Sequence, residues 1–351
     1  MTTHVHLVGS VALDTSEEVF ATAGKLLGPY LKRVPDGEPG GRRLWISWQV
    51  PVLRANPQLT PAVPPAPGQR VVLVPLKLAE GVRPEDVHFG ELGYSREARA
   101  SYQDFLDARR RGELPAGVRF QVSLPTPIAV VNTYCIPDDA PTILPAYEQA
   151  MLREVQRICD AIPHQDLAIQ WDVCIEMVAW DGGGGGTRDA VTMERVFGDA
   201  FARLGRGVPE DVELGYHLCY GDMDAVHFFQ PHDATRMVEL ANLIAARVER
   251  PVTWTHMPVP IDRDDDAFYV PLSGLRLQPG TELYLGLVHA QDGIEGTRRR
   301  MAVANKYVQG FGIGSECGIS RGRDQRLALS FLEVYAGAAA AGPAELASQR
   351  S

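Results

Sequence analysis

A chain of 351 residues, 45% hydrophobic and 22% charged, has the composition of a globular protein with ample material for a core. Its net charge of -10 and pI near 5.4 give no basic face for nucleic acid or for an anionic membrane surface. No apolar run approaches the ~20 residues that cross a bilayer, and Met1-Thr2-Thr3-His4-Val5-His6 lacks the basic and apolar regions of a signal peptide. Cys135, Cys159, Cys174, Cys219 and Cys317 are odd in number and have no paired spacing. That pattern predicts reduced thiols and a cytoplasmic setting.

In chain order, His4 to Gly9 reads as a strand ending at Gly9-Ser10, and residues 15–31 as a helix with a capping-type start at Thr15-Ser16-Glu17-Glu18. Residues 34–43 form a turn-rich loop with two acids and two arginines, Asp36, Glu38, Arg42 and Arg43. It either clamps a charged ligand or is simply solvated. Leu44 to Leu53 reads as a helix broken around Pro51, residues 57–69 as an irregular excursion, and Arg70 to Leu78 as a strand.

A charged helix over 95–111 and a strand over 118–124 follow, then a helix over 147–162 and a strand over 167–172. The glycine run 182–186 has no GK[ST] after it and is no phosphate loop. Helices are expected over 189–204, 233–248, 292–306 and 323–339, and strands over 212–219, 251–255, 282–288 and 309–313. The runs Arg109-Arg110-Arg111 and Arg298-Arg299-Arg300 read as solvated helix faces.

Strand and helix alternate nearly throughout, which calls for a parallel sheet with crossover helices. About eight such units in this length predict an α/β fold, a (β/α)8 TIM-type barrel with loop elaborations, as one domain over 1–351. In that architecture the polar residues at strand C-termini form the site. Ser10, Gln170, Asp172, His217, Cys219, His256, His289 and Cys317 hold such positions.

His217 and Cys219 stand two apart in a strand and so point to one side. With Cys317 in its glycine-flanked turn they form a soft set of the kind zinc takes, and the open position would accept a substrate thiol. The plainer reading is a buried histidine and core thiols. His256 is a weaker candidate ligand, and His289 a candidate general acid. Asp172 is a candidate for binding a substrate amine or orienting a ligand histidine. Ser10, Gln170, Glu38 and Glu176 are further candidates for substrate binding. Cys174 and Glu176 sit where they could face the same pocket, while Cys135 and Cys159 read as packing residues. Trp45, Trp48, Trp171 and Trp254 read equally as pocket walls or as core.

These motifs carry a family likeness. His6-Leu7-Val8-Gly9-Ser10, Leu124-Pro125-Thr126-Pro127, Ile169-Gln170-Trp171-Asp172, His217-Leu218-Cys219-Tyr220 and Ser315-Glu316-Cys317-Gly318 occur in the order found in cobalamin-independent methionine synthase. The chain resembles the catalytic C-terminal barrel of that family and its wider superfamily, which includes epoxyalkane:coenzyme M transferase and, more remotely, uroporphyrinogen decarboxylase. The resemblance implies a zinc-bound thiolate attacking an alkyl donor, with His217, Cys219 and Cys317 as ligands and Asp172 on the amino group of the thiol substrate.

The strand after His-x-Cys lacks the family's glutamate ligand and reads Pro251-Val252-Thr253-Trp254-Thr255-His256. The family's Asp-Glu-Pro-Ala becomes Asp172-Val173-Cys174-Ile175. The expected partners are therefore a small-molecule thiol and an alkyl donor, not nucleic acid or membrane, with a homodimer left open. A lyase or decarboxylase-like enzyme on the same barrel, with or without a metal, is the alternative, as is a non-catalytic small-ligand-binding protein.

Overall fold

The computed structural model describes residues 3–64, 66–68, 74–183, 189–222 and 226–340. Its strands are β1 (Val5–His6), β2 (Arg33–Pro35), β3 (Leu59–Pro61), β4 (Leu76–Leu78), β5 (Arg119–Pro125), β6 (Leu167–Val173), β7 (Glu213–Leu218), β8 (Trp254–Pro258), β9 (Glu282–Val288) and β10 (Gly312–Ser315). The helices are α1 (Ser16–Leu27), α2 (Val50–Ala55), α3 (Tyr94–Arg110), α4 (Pro127–Tyr134), α5 (Ala140–Ala161), α6 (Ile175–Trp180), α7 (Ala190–Arg206), α8 (Thr235–Arg247), α9 (Asp266–Tyr269), α10 (Gly293–Ala304) and α11 (Gln325–Ala340).

Eight of the strands form one parallel sheet in the order β1-β10-β9-β8-β7-β6-β5-β2. The bridges Val5↔Leu31 and Ser10↔Gly37 draw its two edges together, and Val11 N–H donates to Gly37 O at 2.9 Å. The result is the expected (β/α)8 barrel, nearly closed. β3 and β4 form a separate antiparallel pair outside it.

Local chemistry sets the elements. Thr15 caps α1 by accepting from Glu18 N–H at 3.1 Å, Glu17 and Glu18 complement the helix N-terminus, and Gly28-Pro29 ends the α-helical run. The barrel interior pairs large with small side chains. Trp254 fills the space in front of Gly215, where an added Cβ would lie 1.9 Å from the indole. Tyr284 likewise covers Gly312.

At the N-terminal end of the strands, Arg33 of β2 is 3% exposed, pairs with Glu213 of β7 and with Glu282 of β9 at 3.0 Å, and stacks on Trp254 at 4.3 Å. Arg119 of β5 reaches Glu213 at 3.0 Å and Lys32 reaches Glu282 at 2.6 Å. Ion pairs thus tie four strands together below the site.

Several expectations are corrected. The loop read at 34–43 begins inside β2, and residues 59–61 of the supposed excursion are strand. Of the strand expected over 70–78, residues 76–78 form β4, while 70–73 lie outside the described residues, as do 184–186 of the glycine run. The helix expected over 44–53 breaks at Trp45, whose φ is +54, and not at Pro51. Pro51 instead occupies the first turn of α2, where a missing N–H costs nothing. α4 and α6 were not anticipated, and α5 starts at Ala140. β8 and β10 sit about three residues later than expected, so His256 lies within its strand. Arg300 does not face solvent. It is fully buried, donates to Leu287 O and Ile261 O, and holds Asp292 through both terminal nitrogens at 2.6 and 2.9 Å.

Candidate functional site

At the C-terminal end of the barrel the chain leaves β7 through His217 and Cys219, and Cys219 N–H is fixed to Val173 O of β6 at 3.0 Å. Across the opening, the turn after β10 carries Cys317. Its carbonyl accepts from Ser315 Oγ at 2.7 Å, and Ser315 N–H is held by the Tyr335 hydroxyl of α11. Gly318 is required there, because a Cβ would come within 2.2 Å of Ser10 Oγ. The ligand atoms of His217, Cys219 and Cys317 all lie within 4.8 Å of one another, and the two sulfurs are 3.5 Å apart. All three residues are buried.

His217 Nδ1 lies 2.8 Å from His256 Nδ1, while its Nε2 is buried with no hydrogen-bond partner. Burial pushes the His217 imidazole well below its ordinary range, so it is neutral at pH 7. A neutral imidazole with a free lone pair beside two sulfurs is the donor set a soft divalent cation takes. The thiols do not ionise readily by themselves. The hydrogen bond from Cys174 pushes Cys219 well above the ordinary thiol range, and the contact with Cys219 does the same to Cys317. A cation between them would reverse that. Gly221 N–H at 3.3 Å from Cys219 Sγ and Arg321 Nη2 at 3.0 Å from Cys317 Sγ are donors placed for thiolates. The residues present therefore fit a zinc ion.

The three ligand candidates open onto a pocket. Its wall includes Ser10, Glu38, Trp45, Tyr134, Asp172, Cys174, Phe228 and Arg321. Asp172 Oδ1 accepts from Gln170 Nε2 at 2.9 Å, and burial lifts its carboxyl to about 7. Burial, with Asp172 nearby, lifts Glu38 to about 8. Two carboxyls that resist ionising side by side form a natural seat for an ammonium group.

Other expected site residues lie elsewhere. Gln170 is below the pocket, bonded to His6 Nε2 at 2.8 Å, Val8 O at 2.7 Å and Trp254 Nε1 at 3.3 Å, and it positions Asp172. Glu176 is fully buried beside Thr126 at the start of α6, and burial lifts its carboxyl to about 7. His256 is not among the clustered ligands: its Nδ1 is engaged with His217, and its unpartnered Nε2 lies against Gly314. His289 is off the pocket wall, donating from Nε2 to Val259 O at 2.9 Å with Nδ1 3.6 Å from Glu316. Of the tryptophans, only Trp45 lines the pocket, while Trp171 and Trp254 are core. Tyr134 and Phe228 were not anticipated. Tyr134 arrives on the unexpected α4, and nothing in its sequence neighbourhood marks it.

These ionisations fix a pH dependence. Burial lifts Asp172, Glu38, Glu176 and Glu316 to about 7–8, against about 4 in an unfolded chain. Their contribution is full below pH 4 and is lost as pH rises through 7–8. His6, His217, His256 and His289 are shifted down, so theirs is full above about 6.5 and is lost as pH falls. Between pH 6.5 and 8.5 the carboxyls dominate, and the thiols of Cys135 and Cys159, raised by burial, add to the same fall toward its upper end. The melting temperature is expected to fall by several degrees over that interval, and Glu38→Gln should flatten the fall. A flat wild-type profile by calorimetry would contradict this ionisation scheme.

No protein-family model matches the chain, and no curated protein sequence matches it. Solved structures do resemble it. A Listeria monocytogenes protein assigned as a vitamin-B12-independent methionine synthase superposes with a TM-score of 0.54 at 14% identity, covering 92% of this chain and 86% of that one. A methyltransferase from Methanosarcina mazei gives 0.53 at 9% identity over 97% and 94%. A B12-independent methionine synthase from Shewanella sp. W3-18-1, in complex with selenomethionine, gives 0.50 at 14% over 79% and 71%. At these identities the likeness is one of fold: this chain shares the barrel on which those methionine synthase and methyltransferase structures are built.

Proposed function

We propose that the chain is a zinc-dependent transferase that moves a methyl or other alkyl group onto a small thiol. The observation that carries this reading is the buried His217–Cys219–Cys317 cluster with its unpartnered imidazole nitrogen, open to a pocket. Zinc held there would supply the positive charge that lets a thiol ionise at neutral pH, where its ordinary pKa is about 8.5.

The chain's own residues do the rest. Asp172 and Glu38 bind an amino group of the acceptor, and Gln170 keeps the Asp172 carboxyl turned into the pocket. Ser10 offers its buried, unpartnered hydroxyl to the polar end of the ligand. Trp45, Tyr134 and Phe228 wall the pocket against water, so that acceptor sulfur and donor carbon meet in a fixed line. The fold neighbours include methionine synthase and methyltransferase structures, which supports a methyl group as the cargo. Among the described residues no helix is long and apolar enough to cross a membrane. The proposed setting is cytoplasmic, and the proposed partners are the small thiol and its alkyl donor.

The test is metal content followed by turnover. Purified without added metal, the wild-type chain is expected to carry about one zinc, measured by elemental analysis. It should then consume a free aminothiol in the presence of an activated methyl donor. A chain that neither carries zinc nor takes it up on reconstitution would sink the transferase reading and return attention to the pocket carboxyls of Asp172 and Glu38.

A further inference from the structure

The wall of the metal site contains a third thiol that the His-x-Cys and Cys-Gly motifs do not account for. Cys174 lies just beyond β6, one residue after Val173, whose carbonyl holds Cys219 N–H. Its side chain is 1% exposed and packs in one cluster with Cys219 and Cys317, covered by Trp45. It packs against Cys219 and faces the same pocket.

Three of the chain's five cysteines therefore pack in one cluster, on the wall that also carries His217, whose buried Nε2 has no partner. The other two, Cys135 and Cys159, are buried away from it. Three sulfurs and one imidazole nitrogen are the complement of a tetrahedral zinc site. The strand after β7 offers only His256 at its corresponding end, and that residue lies outside the ligand cluster, with Nδ1 engaged with His217 and Nε2 against Gly314.

We propose that Cys174 is the fourth ligand of this centre, making it Cys3His, and that its place is the one an incoming substrate thiol takes over. The proposal rests on the metal-centre reading above and deepens it. Geometry distinguishes Cys174 from the other three. It falls outside the group whose ligand atoms lie mutually within 4.8 Å, so it reaches the centre by a side-chain adjustment and leaves it by the same movement. It also sits at the start of the six-residue α6, a short element, whereas Cys219 is pinned by Val173 O and the Cys317 turn by Ser315. Exchange of one sulfur for another preserves the donor set, so a thiol is the ligand class that can replace Cys174 without changing the character of the site.

The experiment counts sulfurs. The chain is loaded with cobalt(II) as a zinc substitute, and the near-ultraviolet sulfur-to-cobalt absorption is compared between wild type, Cys174→Ser and Cys135→Ser. Cys174→Ser is expected to lose about a third of that intensity and to release zinc to a chelator at least about tenfold more readily. Adding a small aminothiol should restore its spectrum, while Cys135→Ser matches wild type. Unchanged intensity and affinity in Cys174→Ser would overturn the proposal. If that variant does not fold, X-ray absorption of the wild-type zinc protein decides: three sulfurs and one nitrogen support it, and two sulfurs overturn it. A metal-bearing chain with two sulfurs leaves the transferase reading standing. A chain that takes up neither zinc nor cobalt removes both.

Discussion

Serine at both Cys219 and Cys317 is expected to leave a folded chain that carries almost no zinc and transfers alkyl groups at least about a thousandfold more slowly. The variant removes the two sulfurs that lie 3.5 Å apart and leaves His217 without its partners. Structural zinc sites bind with free energies of roughly 10–16 kcal/mol, most of it from thiolate and imidazole donors, and a serine hydroxyl does not replace a thiolate. Each thiol is a small group inside a pocket wall, so the fold should survive the exchange. Cys159→Ser serves as the control, since Cys159 is buried on α5 away from the pocket. Full zinc content in the double variant, with activity intact, would place any metal elsewhere in the chain.

The second large effect concerns the barrel interior. Gly215→Ala is expected to destabilise the chain by about 3 kcal/mol or more, or to make it insoluble. The new methyl would overlap the Trp254 indole, and Trp254 has nowhere to go. It is fully buried, its N–H is bonded to Gln170 Oε1 at 3.3 Å, and the Arg33 guanidinium lies on its face. Trp254→Leu costs stability alone but should recover part of the loss when combined with Gly215→Ala, because the two side chains compete for one space. Denaturation midpoints of the four chains give the coupling. Strict additivity would mean that the clash is relieved elsewhere.

The barrel and its ligands were legible for a shared reason. Long strands such as β6, β7 and β9 write their character into the sequence as apolar runs of seven or so residues, and the alternation with helices then fixes a parallel sheet. His217 and Cys219 are two apart on one of those strands, so their convergence follows from strand geometry alone. β2 was lost because three residues ending in a proline carry no periodicity, and only pairing with β5 makes them a strand. The helix break was misplaced at Pro51 because nothing local reveals that the chain turns at Trp45 through a positive φ. Arg300 looked like one of three solvated arginines, and its burial depends on Asp292, Leu287 and Ile261 arriving from other elements. Cys174 was placed facing the pocket by its position at a strand end, but its packing against Cys219 shows only once β6 and β7 are paired in register.

The paired carboxyls of Asp172 and Glu38 have a consequence for heat measurement. With one lifted to about 7 and the other to about 8, the pocket holds dissociable hydrogen ions at neutral pH. A positively charged ligand group seated between them ionises both, and the released hydrogen ions pass to the buffer. The enthalpy recorded by titration calorimetry at pH 7 should therefore depend on the buffer's own heat of protonation, being more exothermic in Tris than in phosphate. The slope between buffers counts the ions released, and it should fall in Glu38→Gln.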